Sequence, residues 1–283
     1  MESEADYYTR EYNPRLAVPN FLEIFQRWGR QSAETRQASP KASLDLAFGS
    51  APGERLDLFP AGDPASPLLV FIHGGYWRAL DKADFSWVAP PFVARGVSVA
   101  VLNYTLAPKA SLEDIVREVL RALAWLWRNA PALGFDRNRI VVSGHSAGGH
   151  LTAMSMCTQW PRWEPDLPEN LVKAGLAMSG IFDLRPIAKA PFFNVDLKLD
   201  EALATRLSPA LMQPATQAPI LTAVGGDETR EFHRRNALIR ENWTNAFAGD
   251  IPMPGRNHMT LVDALADPQH PLFAAALGLC RKV

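Results

Sequence analysis

Five nearly uninterrupted apolar runs limit what this chain can fold into more than any other feature. They are Leu68-Leu69-Val70-Phe71-Ile72, then 97–102, 140–142, 171–178 and 220–224, each ended by Gly or a small polar residue. A strand with one wet face alternates polar and apolar residues. A strand covered on both faces does not, so these runs predict a parallel sheet shielded by helices on each side. Helical stretches lie between them. The clearest is 111–129, where Ser111 caps and Ile115, Val119, Ala122, Leu123 and Leu126 make one stripe. Upstream, 44–48 and 55–59 alternate on either side of Gly49–Gly53 and predict a β-hairpin. Phe21, Ile24, Phe25 and Trp28 follow Asn20 at helical spacing. An antiparallel start followed by alternating β and α gives an α/β sheet with both faces covered.

The 283 residues, 47% hydrophobic, suffice for one domain over 1–283 with a sizeable core. Residues 1–40 are set apart as an N-terminal cap segment. Residues 181–215, with four prolines and the pair Phe192-Phe193, predict an excursion over the strand ends, where ligands bind in such sheets. The two are expected to roof the pocket together. The net charge is −1 and no Lys/Arg cluster occurs, which disfavours nucleic acid as a partner. No apolar run approaches the ~18 residues of a membrane span. The acidic start, Met1 to Asp6, does not resemble a signal peptide, so the cytoplasm is the expected location. Cys157 and Cys280, with no CxxC pair, are expected to be reduced thiols.

Gly144-His145-Ser146-Ala147-Gly148 matches G-x-S-x-G. The strand 140–142 precedes it and 147–157 can continue as a helix. A turn this tight strains the serine and exposes its hydroxyl above the sheet, which makes Ser146 the candidate nucleophile. In this arrangement the base and its acid follow the serine, leaving His233, His258 and His270. His233 falls inside a helical pattern and His270 opens the last helix. His258, on a loop after Pro254-Gly255-Arg256-Asn257, is the candidate base. Asp227 directly follows a buried-strand pattern through Gly225-Gly226 and is the candidate acid; Glu228 competes by adjacency. Asp183 is read as structural or as pocket wall. His145 and His150 flank the serine without a carboxylate or cysteine cluster, so no metal site is expected.

His73-Gly74-Gly75-Tyr76-Trp77 directly follows the run 68–72. Two glycines let backbone N–H groups turn toward a developing oxyanion, so Gly74, Gly75 and Ala147 are the expected three donors. Tyr76 and Trp77 are read as an aromatic wall for an aryl substrate, with support of the oxyanion loop as the competing role.

These blocks resemble the α/β-hydrolase fold and, within it, the kynurenine formamidase (arylformamidase) family. His73 to Trp77 stands as that family's HGGxW motif. Asn103-Tyr104-Thr105-Leu106-Ala107-Pro108-Lys109, Gly144 to Leu151, Ser179 to Leu184 and Asp227 to Arg234 are similar to its later blocks, with Gly149 where alanine is familiar. The HGG and G-x-S-x-G strings alone are shared with the hormone-sensitive-lipase-like esterases. The resemblance implies an eight-stranded, mostly parallel sheet with a small helical cap, and puts Asp227 and His258 at the triad acid and base. It implies hydrolysis of N-formyl-L-kynurenine to kynurenine and formate without metal or organic cofactor. The alternative is a general carboxylesterase for short-acyl aryl esters, which uses the same residues. The expected partner is therefore a small aryl formamide or aryl ester, with neither nucleic acid nor membrane; a homodimer stays open.

Overall fold

The computed structural model describes residues 2–283. Eight strands form one sheet: β1 Ser43–Ala47, β2 Arg55–Phe59, β3 Leu68–Ile72, β4 Ser98–Leu102, β5 Ile140–His145, β6 Ala174–Met178, β7 Ile220–Gly225 and β8 Phe247–Met253. Their order is β1-β2-β4-β3-β5-β6-β7-β8. The first two pairings, β1 with β2 and β2 with β4, are antiparallel. All others are parallel, with Val70 opposite Val142 and Ser143 opposite Leu176.

The apolar runs lack alternation because each face of the sheet has its own core. Leu68, Val70 and Ile72 of β3 join Ala100, Val142 and the helix Leu112–Leu133 on one side. Leu69 and Phe71 join Val99, Val141 and Trp28 on the other. The 112–133 helix starts at a capping box between Ser111 and Asp114 and ends at Gly134, whose φ of 77° is left-handed. Its apolar face is held by packing rather than by propensity alone.

The terminal strand β8 has no counterpart among the apolar runs. Its sequence, Phe247-Ala248-Gly249-Asp250-Ile251-Pro252-Met253, is broken by Gly249 and Pro252. Both fit because β8 is an edge strand, where one side of the ladder needs no donor.

Residues 4–38 form three helices, Glu4–Tyr12, Pro14–Ala17 and Phe21–Ala38. The expected short helix at 21–28 runs a further ten residues, to Ala38. Its Trp28 stacks on Phe25 and Trp87, and Trp28 Nε1–H donates to Asp263 Oδ1 at 2.7 Å. Arg27 reaches the same carboxylate at 2.6 Å, which ties the segment to the far end of the chain. The stretch 181–215 carries the short helices Arg185–Ala188, Pro191–Leu197 and Glu201–Arg206. Among the described residues no helix is long and apolar enough to cross a membrane. Cys157 and Cys280 are free, and burial pushes both thiols up to about 12.

Candidate active site

The loops at the carboxyl ends of β3, β5 and β8 meet over one cleft, where an open parallel sheet leaves a crevice, and the loop after β7 reaches His258 from behind. Ser146 directly follows β5 and precedes the helix Ala147–Met156. Its φ of 57° and ψ of −115° lie outside the regions an L-residue ordinarily occupies. The strain is held from both sides. Ser146 N–H donates to Met178 O of β6 at 2.8 Å, and Ser146 O accepts from His150 N–H at 3.1 Å. The elbow also demands Gly148, because a Cβ there would lie 1.9 Å from Ile72 O. Ser146 Oγ makes no hydrogen bond to another described residue, and Ser146 lines the same cleft as His258.

His258 is fixed on three sides. Its backbone carbonyl accepts from His145 Nε2–H at 2.8 Å. Its ring packs against His145 and Phe232, with centroids 4.6 and 4.5 Å away. Its Nδ1–H donates to Glu228 Oε2 at 2.6 Å. Burial pushes the His145 ring well below its ordinary value and the neighbouring His258 charge adds to that, so His145 stays a neutral donor.

The carboxylate on His258 is thus Glu228, and the expectation of Asp227 is corrected. β7 ends at Gly225, and Glu228 N–H closes a turn onto Gly225 O at 3.0 Å. That turn sends position 228 inward and leaves Asp227 exposed, with only its backbone N–H bonded, to Arg256 O. The other oxygen of Glu228 accepts from Gly225 N–H at 2.7 Å and from Ser179 Oγ–H. Burial pushes the Glu228 carboxyl up, but His258, Ser179 and the Gly225 amide together bring it below its ordinary value. Ser179 was not singled out as a site residue in the sequence; its signals are that it ends the 171–178 run and opens the family-like block Ser179 to Leu184.

After β3 the chain passes through three successive left-handed residues, Gly75 at φ 101°, Tyr76 at 53° and Trp77 at 57°. A Cβ on Gly75 would lie 2.0 Å from Ala79 O, so glycine is required there. Gly74 lies against the turn that carries Ser146: a Cβ there would be 2.9 Å from His145 O and 3.1 Å from Ser146 Cβ. Among the described residues the N–H groups of Gly74, Gly75 and Ala147 have no protein acceptor. For Ala147 the reason is general, since the first residue of a helix has no intrahelical acceptor.

The two aromatics after Gly75 part company. Tyr76 lines the cleft, stacks on Phe193 at 4.2 Å and donates its hydroxyl to Tyr12 O. Trp77 is fully buried and is absent from the cleft wall. Its ring meets His150 of the 147–156 helix edge-on at 5.1 Å. Trp77 as a substrate-wall residue is therefore corrected: it is a brace between the 73–77 loop and the helix behind Ser146. Consecutive left-handed residues turn these neighbouring side chains in different directions, which an extended reading of the loop does not anticipate.

His150 faces the core, its Nε2–H donating to Leu207 O at 2.8 Å. His233 is exposed on the helix Arg230–Asn242, and His270 caps the helix Pro271–Lys282 through Leu272 N–H. Asp183 is a buried partner of Arg185 at 2.9 Å rather than part of the cleft wall. Among the described residues no three His, Cys, Asp or Glu side chains are grouped as metal ligands. The cleft measures about 510 Å³, counting space open to solvent. Its roof comes from Arg15, Phe25 and Trp28 of the N-terminal segment and from Phe192 and Phe193 of the 181–215 excursion. The sequence points to these two segments, and to the Phe192-Phe193 pair within one of them, but names none of the five as a site residue, because which side chains reach the cleft depends on the tertiary fold.

The eight-stranded sheet with its strained serine at the end of β5 defines an α/β-hydrolase. The BD-FAE family model matches residues 56–208, and the chain belongs to that family. It is 28% identical to the kynurenine formamidase of Danio rerio over 99% of this chain and 96% of that protein. A thioesterase candidate from Silicibacter sp. tm1040 superimposes with a TM-score of 0.83 at 29% identity, covering 94% of this chain and 97% of that one. An esterase of Pyrobaculum calidifontis, 17% identical, covers 92% of this chain and 91% of its own at a TM-score of 0.68, which is a likeness of fold. The chain is a hydrolytic enzyme of the α/β-hydrolase class.

Proposed function

We propose that this enzyme hydrolyses aryl formamides, N-formyl-L-kynurenine among them, through Ser146, His258 and Glu228. The observation that carries the reading is one cleft: the strained Ser146 and His258, the latter backed by Glu228, open onto a space walled by Tyr76, Phe192 and Phe193. The near full-length likeness to a kynurenine formamidase supports the substrate. Ser146 Oγ gives its proton to His258 Nε2 and attacks the formyl carbon. The N–H groups of Gly74, Gly75 and Ala147 receive the oxyanion, each worth roughly 3 kcal/mol of barrier. Glu228 holds the His258 tautomer and steadies the imidazolium. The intermediate collapses as His258 protonates the departing arylamine. Water, losing its proton to His258, then attacks the formyl-enzyme and releases formate. An arylamine leaves more readily than an alkylamine, so an esterase-like site suffices.

Steady-state kinetics on N-formyl-L-kynurenine and phenyl acetate test the reading. The expected result is turnover of both, with kcat/KM higher for the formamide and about 10⁶ lost from kcat in Ser146→Ala. Turnover of the ester alone would replace the formamidase reading by that of a carboxylesterase.

A further inference from the structure

The cleft at Ser146 is lined by two arginines and by no carboxylate. Arg78 follows the 73–77 loop and is held rigidly. Its Nη1–H groups donate to Asp196 Oδ2 at 2.8 Å and Phe192 O at 2.9 Å. Its guanidinium carbon lies 4.8 and 5.4 Å from the Phe192 and Phe193 ring centroids. Nε and Nη2 of Arg78 make no bond to a described residue. Arg15 also lines the cleft, from the short helix Pro14–Ala17. It rests over the Phe21 ring at 5.3 Å and makes no ion pair with a described carboxylate. Burial, and next the like charge of Arg78, hold its guanidinium below the ordinary value, and no acidic group offsets them. Two like charges at one mouth, with Asp196 paired to Arg78 alone, leave a positive excess. A guanidinium with free N–H groups beside another is suited to grip a carboxylate.

We propose that Arg15 and Arg78 form a docking point for a carboxylate at the far end of the substrate, so that the site selects aryl acyl compounds bearing a negative charge. The inference rests on Ser146 being the nucleophile of the reading above, but not on the acyl group being formyl. The scissile bond would lie at Ser146, the aryl ring against Tyr76 and Phe193, and the anionic tail between the two guanidiniums. The cap thereby supplies specificity rather than cover alone, because one cation comes from residue 15 and the other is steadied by Asp196 and Phe192.

Two aryl acetates that differ in charge test this apart from formamide chemistry: 3-(4-acetoxyphenyl)propanoate and phenyl acetate. In the unsubstituted enzyme the ratio of kcat/KM, anionic over neutral, should exceed one and shrink as salt is raised. In Arg15→Gln it should drop about tenfold, mostly through KM, with part restored in Arg15→Lys. Arg78→Gln should act the same way; because Arg78 also holds Asp196, Arg15, which pairs with no described carboxylate, carries the decision if that variant does not fold. A ratio equal in the unsubstituted enzyme and in Arg15→Gln would overturn the docking point, even with N-formyl-L-kynurenine turned over. A ratio that drops as stated while N-formyl-L-kynurenine is not turned over would uphold the docking point and overturn only the formamidase reading.

Discussion

Glu228 Oε2 lies 2.6 Å from Nδ1 of His258, while the neighbouring Asp227 points to solvent. The pair is buried, and the second oxygen of Glu228 is anchored by Gly225 and Ser179. In the proposed mechanism such an anchored carboxylate would not rotate away when His258 takes a proton. With Nδ1 held by Glu228, Nε2 is the ring nitrogen left without a partner among the described residues.

Glu228→Gln should lower kcat by roughly 10⁴, because the amide no longer holds the required tautomer. Asp227→Asn should stay within a few-fold of the unsubstituted enzyme. Initial rates with phenyl acetate at neutral pH read both. A larger loss at Asp227 would move the acid back by one residue.

Trp77→Ala should act on stability before specificity. A fully buried indole removed from its place against His150 leaves a cavity, at about 3–5 kcal/mol. Urea denaturation should show that loss. Phenyl acetate and ethyl acetate should lose kcat by a similar factor, since the ring touches the loop and not the substrate. A loss confined to the aryl ester would return Trp77 to the cleft wall.

His150 gives the fold a dependence on pH. Burial lowers its ring from 6.5 to about 4, so the folded protein keeps it neutral where the unfolded chain protonates it. Between those values the unfolded state binds more protons, and stability falls as pH falls. The contribution, about 3 kcal/mol, is complete above pH 6.5 and is lost progressively down to pH 4. His150→Gln should unfold in less urea than the unsubstituted protein at pH 7, and the gap should narrow by pH 4.5. A gap that widens on acidification would show that the ring is not held neutral.

Local sequence was enough wherever the geometry is set by neighbours along the chain. The strands β3 to β7 contain apolar runs because both faces of each are covered, and that demand is written into three to eight consecutive residues. Ser146 is legible because the elbow is a local device: a strand end, a serine and a glycine that can lie against Ile72 O. His258 could be picked out by its loop position. Where two adjacent residues compete, the chain offers no such rule. Asp227 and Glu228 carry the same charge one position apart, and only the turn closed from Glu228 N–H to Gly225 O decides which faces inward. Tyr76 and Trp77 are separated in the same way by successive left-handed residues. β8 escaped notice because an edge strand tolerates Gly249 and Pro252. Arg15 and Arg78 are far apart in sequence and carry no local signal, and of the 181–215 excursion only its general place was legible. The tertiary structure alone brings these side chains to the cleft at Ser146, because contacts between distant segments depend on how the sheet and both caps pack, which no local pattern encodes.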